Sequence, residues 1–144
     1  MTISRLAVLT HGADAPGMNA AIRATVRMAV REGWQALGVR RGLEGLLAGE
    51  FAPLGTRSVS GTIERGGTLL GTSNAELDAA QVRTALRRLN EAQADALIVI
   101  GGRDAMRGAA ALAAQGCCVL GVPASIENDI CGTDQAIGVD TALN

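Results

Sequence analysis

Residues 96–100, A-L-I-V-I, form an unbroken apolar run that Gly101 and Gly102 end at once. Five residues make a strand, and a strand with no polar side is one covered on both faces. That demands a parallel sheet between two layers of helix, and the rest of the chain has to supply both. L-A-V-L-T (6–10), W-Q-A-L-G-V (34–39) and C-V-L-G-V (118–122) are further strand-type runs. Between them the period changes. From Met18 to Glu32 the residues Met18, Ile22, Val26, Ala29 and Val30 share one helical face, and Gly33 closes the helix. From Asp78 to Gln93, Val82, Ala85, Leu86, Leu89 and Ala92 do the same, with Asp78 as cap. An alanine-rich helix follows Gly102 to about Gln115.

Strands alternating with helices imply βαβ units. The expected fold is α/β, a Rossmann-like parallel sheet with helices on both faces, forming one domain over residues 1–144 without internal repeat or linker. Residues 40–57 are broken by glycine and read as irregular, with one short helical turn near Leu43 to Leu47. Ser58 to Glu64 reads as a short helix capped by Ser58, and 65–72 as extended chain. A polar loop runs from Pro123 through Asp134, and a last helix begins near Val139. That helix is too short to cover a sheet face, so the isolated chain is not expected to be a clean monomer.

Trp34 and Phe51 are the only aromatic residues among 144, so the core has to be packed from Ala, Val, Leu and Ile. A net charge of −1 gives no reason to expect nucleic acid or a membrane surface as partner. No apolar run reaches the ~18 residues of a membrane span. The first ten residues read as a strand rather than as a signal peptide. Cys117, Cys118 and Cys131 have no metal-ligand spacing to the sole histidine, His11, and an odd count suggests reduced thiols and a cytoplasmic location.

In a parallel sheet the ligand sits beyond the carboxyl ends of the strands. Loops 11–17, 101–105 and 123–134 fit that position. The first joins strand to helix through Gly12, Asp14, Pro16 and Gly17, an arrangement suited to a phosphoryl group. Its glycines let backbone amides approach an anion, and the helix N-terminus adds partial positive charge. On the following helix Arg23, Arg27 and Arg31 recur at i, i+4, i+8, as a solvated stripe or as an anion site.

Read together, the three loops resemble the phosphofructokinase family. T-H-G-A-D-A-P-G-M-N-A-A-I-R is similar to that family's opening T-S-G-G-D-A-P-G-M-N-A-A-I-R, and R-G-G-T-L-L-G-T, A-L-I-V-I-G-G and I-E-N-D-I-C-G-T-D-Q-A-I-G-V-D-T-A-L-N match in order and spacing. The resemblance spans the whole chain and the first half of the family's usual subunit. It implies transfer of phosphate from ATP, or in one branch pyrophosphate, to fructose 6-phosphate with magnesium. It implies nucleotide or phosphate contacts at Gly12, Ala13, Asn74, Gly102, Arg103, Asp104, Ala105 and Gly108. It also implies an acceptor site at Ser125 and Glu127, and catalytic carboxylates at Glu127 and Asp129. Arg23 and Arg27 match positions where bacterial members bind phosphorylated effectors between subunits.

The departures cluster on the donor side. The family's G-G-D-G-S is Gly101, Gly102, Arg103, Asp104, Ala105 here, so the aspartate that holds the metal is an arginine. Arginine cannot ligate magnesium. Asp104 and Asp129 remain as possible metal carboxylates. Glu127 stands where the family's general base is an aspartate, one methylene shorter; Ala13 replaces a glycine, and Asn74 a phosphate-binding arginine. The resemblance thus implies a phosphofructokinase-like lobe impaired or inactive alone, binding a phosphorylated ligand or a partner chain. Half of an active split enzyme with Glu127 as base is the alternative, and a relic without a site is a third reading.

Overall fold

The computed structural model describes residues 1–144 throughout. Five strands and five helices follow in order: β1 (Arg5–His11), α1 (Met18–Arg31), β2 (Gln35–Val39), α2 (Gly42–Ala48), β3 (Phe51–Leu54), α3 (Ala79–Glu91), β4 (Ala96–Gly101), α4 (Arg103–Ala114), β5 (Val119–Pro123) and α5 (Val139–Leu143). The sheet order is β3-β2-β1-β4-β5. β1 pairs in parallel with both β2 and β4, and β4 with β5.

The alternation of β1 divides the core. Leu6 and Val8 face Met18, Ile22, Val26 and Ala29 of α1. Ala7 and Leu9 face the other way, against Leu43 and Leu46 of α2, Val82, Ala85 and Leu89 of α3, and Ala105, Ala109 and Leu112 of α4. Helices therefore cover both faces, as the apolar run of β4 requires. α3 begins at a capping box: Gln81 N–H donates to Asp78 at 2.8 Å, and the Gln81 side chain accepts the Asp78 amide at 2.9 Å.

The structure corrects three expectations. Residues 51–54 are not irregular but form β3, which pairs antiparallel with β2 and makes the sheet mixed. The connection from Val39 to Phe51 folds back on itself, with the Arg40 amide donating to the Glu50 carbonyl at 3.0 Å. Pro53 fits there because β3 is an edge strand.

Residues 58–64 form successive turns rather than a helix. The bonds run from Ser60 to Arg57, Thr62 to Val59 and Arg65 to Thr62, and Gly61 at φ +70° prevents an α-helical run. Residues 65–72 are not extended either, since Gly67 (φ +75°) and Gly71 (φ +74°) turn the chain back over the end of β1. Thr10 fixes that return by donating its hydroxyl to the Gly71 carbonyl at 2.8 Å.

This topology places a crevice. From β1 the chain moves outward to β2 and β3, then crosses to β4 on the other side of β1. The carboxyl ends of β1 and β4, registered at His11 and Gly101, flank that reversal. Ligands of open α/β sheets bind at such a reversal.

Candidate functional site

At the β1/β4 reversal lies a cleft of about 210 Å³. The three loops from the sequence all reach it: Gly12 and Ala13 after β1; Gly102, Arg103 and Asp104 after β4; and Ser125, Glu127 and Asp129 after β5. Asn74 reaches it from the returning segment, which is held down by the Gly12 amide donating to the Ser73 carbonyl at 2.9 Å. Gly12 needs φ +86° to make this turn, a conformation that disfavours a side chain.

Gly108 and the Ala105 side chain, both expected at the ligand, lie outside the cleft. The Ala105 methyl is fully buried beneath it and packs against Gly101, leaving only its backbone amide at the start of α4. Gly108 lines a neighbouring cleft of about 180 Å³ with Leu43, Leu77 and Ala111, where a Cβ would meet Leu43 at 2.8 Å. Asp104 lies on the boundary of both clefts.

The helix that faces the cleft is also not the one the sequence indicated. The amides of Met18 and Asn19 at the start of α1 donate to the Ala15 and Gly67 carbonyls. Asn19 itself is buried and binds the returning segment, accepting the Leu69 amide at 2.6 Å and donating to the Arg65 carbonyl at 3.1 Å. α4 fills the role instead. Its first amides, at residues 103–105, have no intrahelical acceptor, and Gly102 and Arg103 open it at the cleft wall.

The acceptor-side loop is a braced platform. Asn128, at φ +51°, accepts the Ala136 amide at 3.0 Å and donates to the Asp134 carbonyl at 3.3 Å. The Ser125 amide donates to the Ile137 carbonyl at 2.9 Å. Ser125 is buried, and its hydroxyl accepts the Glu127 amide at 3.1 Å. The Glu127 carboxylate has no partner in the protein, whereas the other two carboxylates of the cleft are engaged. Arg103 Nη1 lies 3.5 Å from Asp129 Oδ2, and Arg107 Nη1 lies 3.4 Å from Asp104 Oδ1. Both pairs are solvent-exposed and each contributes on the order of 0–1 kcal/mol. Arg107 was not foreseen, although its i, i+3 spacing to Asp104 gave the signal.

Magnesium fits this donor set poorly, because the Arg103 guanidinium holds a positive charge at the cleft wall and pairs with Asp129, while Asp104 pairs with Arg107.

His11 is a second residue whose role the sequence left open. It ends β1 under the cleft, fully buried. Its Nδ1 accepts the Leu43 amide at 3.3 Å and lies 3.2 Å from the Ser73 hydroxyl, so the neutral ring carries its proton on Nε2. Nε2 has no partner of good geometry. Burial holds the imidazole below its ordinary value of 6.5, outweighing the Ala75 backbone and the charges of Asp104 and Glu44. A lowered folded-state value means the unfolded chain binds more protons. The stability is complete above about 6.5 and is lost as pH falls toward the folded value. The urea midpoint is therefore expected to drop between about pH 7 and pH 5, and His11→Asn to flatten that slope. Equal slopes in both proteins would assign the loss to other groups.

Arg23 and Arg27 lie on α1 and do not line the cleft. Neither has an acidic partner, and the Nε of Arg23 is buried without a hydrogen bond.

A sheet reversal with a loop-lined cleft at its mouth defines a Rossmann-like α/β lobe. The family model described as Phosphofructokinase matches residues 5–144, and the chain belongs to that family. An ATP-dependent 6-phosphofructokinase of Clostridium botulinum is 48% identical over 99% of this chain and 45% of its own length. One from Thermus thermophilus is 46% identical over 99% of this chain and 45% of its own. Among solved structures, phosphofructokinase of Pichia pastoris in the T-state superposes with TM-score 0.94 at 30% identity, covering 99% of this chain and 17% of that one. A pyrophosphate-dependent phosphofructokinase from Marinobacter aquaeolei (TM-score 0.84, 17% identity, 95% of this chain and 37% of that one) shares the fold. The chain thus spans under half the length of the bacterial relatives it matches and corresponds to their N-terminal lobe.

Proposed function

We propose that this chain binds a phosphorylated small molecule, ATP or pyrophosphate, in the three-loop cleft, and that alone it transfers no phosphoryl group. The observation that carries this reading is the convergence of Gly12, Gly102 and Ser125 with the Arg103 guanidinium in one cleft. Free amides at the start of α4 and a guanidinium suit phosphate oxygens. A volume of about 210 Å³ is below that of typical organic-ligand pockets, roughly 300–1,000 Å³. It suits a phosphate or pyrophosphate group, and a nucleotide would extend past Asp104 toward Gly108.

On this reading the chain acts in the cytoplasm as a phospho-ligand or partner-binding module. Leu120 on the free edge of β5, Ile126 and Leu143 are exposed apolar residues suited to a second copy or another phosphofructokinase-like chain. The unpaired arginines Arg23 and Arg27 suit a phosphorylated effector at such a contact. A second reading, half of a split 6-phosphofructokinase with Glu127 as base, is favoured by the free Glu127 carboxylate on its braced loop.

Calorimetric titration with pyrophosphate and with ATP tests the binding. Micromolar to millimolar affinity that weakens between about 50 and 300 mM salt is expected, because exposed charge contacts are screened. Absence of heat and of competition at millimolar ligand would overturn it.

A further inference from the structure

We infer that Arg103 is a built-in counter-ion, so that this cleft takes a di- or triphosphate without magnesium. The inference rests on the phosphate-binding reading above and goes beyond it by naming the cation. Three observations carry it. Arg103 opens α4 at the cleft wall, beside the amides that have no intrahelical acceptor. Its guanidinium reaches across the cleft to Asp129 at 3.5 Å, so the positive charge lies between the first helical turn and the acceptor-side loop. Asp104, the adjacent carboxylate, is held by Arg107 on the outer side. Both aspartates beside the cleft thus pair with guanidinium groups, and Arg103 itself sets a positive charge where a divalent ion would have to sit against the phosphates.

The Arg103–Asp129 pair is also suited to exchange. It is single, long and solvated, with the arginine side chain 60% exposed. A phosphate offers the planar fork two oxygens at once, a stronger partner than one carboxylate oxygen at this distance. On binding, Arg103 leaves Asp129 for the ligand. Asp129 in turn becomes an anion near the phosphates and disfavours ligands that reach deeper into the acceptor side.

The test is calorimetric titration of the full chain with pyrophosphate, in EDTA and in excess magnesium, for the natural protein and for Arg103→Asp, Arg103→Ala and Arg103→Lys. The natural chain is expected to bind within about threefold in the two buffers. Loss of one charge-assisted contact costs roughly 10–100-fold in EDTA for Arg103→Ala, while Arg103→Lys retains part of the affinity. Arg103→Asp loses binding in EDTA and regains at least tenfold when magnesium is added, because it supplies the missing carboxylate. Residue 103 is exposed, and unchanged far-UV circular dichroism confirms that each variant is folded. Binding by the natural chain only with magnesium would overturn the built-in cation and leave the phosphate reading intact. No binding in either buffer would overturn both. Equal affinity in all four proteins would place the ligand away from Arg103 and overturn the inference.

Discussion

With magnesium, fructose 6-phosphate and either ATP or pyrophosphate, the chain alone is expected to give turnover below ~0.01 s⁻¹, against the ~1–100 s⁻¹ typical of kinases. Three deficits combine. A general base must come within about 2.6–3.2 Å of the proton it removes, and a ~1 Å misplacement costs about 10²-fold. Glu127 is exposed and touches the protein only through its own backbone, so no side chain aims its carboxylate. At the cleft wall Arg103 offers charge without a coordination shell that bridges donor oxygens. The chain also spans only 45% of the length of the relatives that carry the 6-phosphofructokinase name. The double change Arg103→Asp and Asp104→Gly is expected to add magnesium affinity and still give no full turnover. A coupled assay decides the matter: turnover near one per second from the natural chain would make Glu127 a competent base and the impaired-lobe reading wrong.

Gly101→Ala is expected to destabilise the chain strongly, while Gly102→Ala one residue later leaves stability nearly unchanged. Gly101 ends β4 between two strands, paired with His11 of β1 and Pro123 of β5. A Cβ there overlaps the His11 carbonyl oxygen and lies 2.7 Å from the Ala105 side chain. Backbone on one side and a buried core residue on the other leave no room to relax. Overpacking a core costs typically ~1–3 kcal/mol, and a clash with backbone lies at or above the upper end. Against a total stability of ~5–15 kcal/mol, at ~2–4 °C per kcal/mol, the melting temperature should fall by ~10 °C or more. At Gly102, whose φ of −82° suits any residue, a Cβ meets only the Ser125 side chain at 3.7 Å, ordinary contact. Thermal denaturation of the two variants checks the contrast, and equal losses would mean that the end of β4 is not the crowded point.

These adjacent glycines show where the sequence is informative. The pair reads as one strand-ending signal, yet one packs the sheet and the other walls the cleft. Elements with their own local chemistry were legible: the Asp78 cap, the apolar face of α1, the unbroken run of β4. Loop convergence was legible too, since strand order in a parallel sheet decides which loops meet. β3 was hidden because its pairing is set by the fold-back of residues 40–50, and Pro53 masks its strand character. The partner of Arg103 was hidden for a related reason. Sequence proximity suggests Asp104, but helical geometry turns Asp104 toward Arg107 and leaves Arg103 to reach Asp129. Likewise nothing local reveals that the Gly67 carbonyl takes the amide of Asn19, so that this amide at the start of α1 is already engaged.

The most direct test of the account is an amide chemical-shift map of the chain titrated with pyrophosphate. The predicted result is saturable shifts confined to Gly12, Gly102, Arg103, Asp104 and Ser125, with residues 18–27 of α1 unmoved. Shifts centred on Arg23 and Arg27 with a silent Gly102, or no saturable shift at millimolar pyrophosphate, would contradict it.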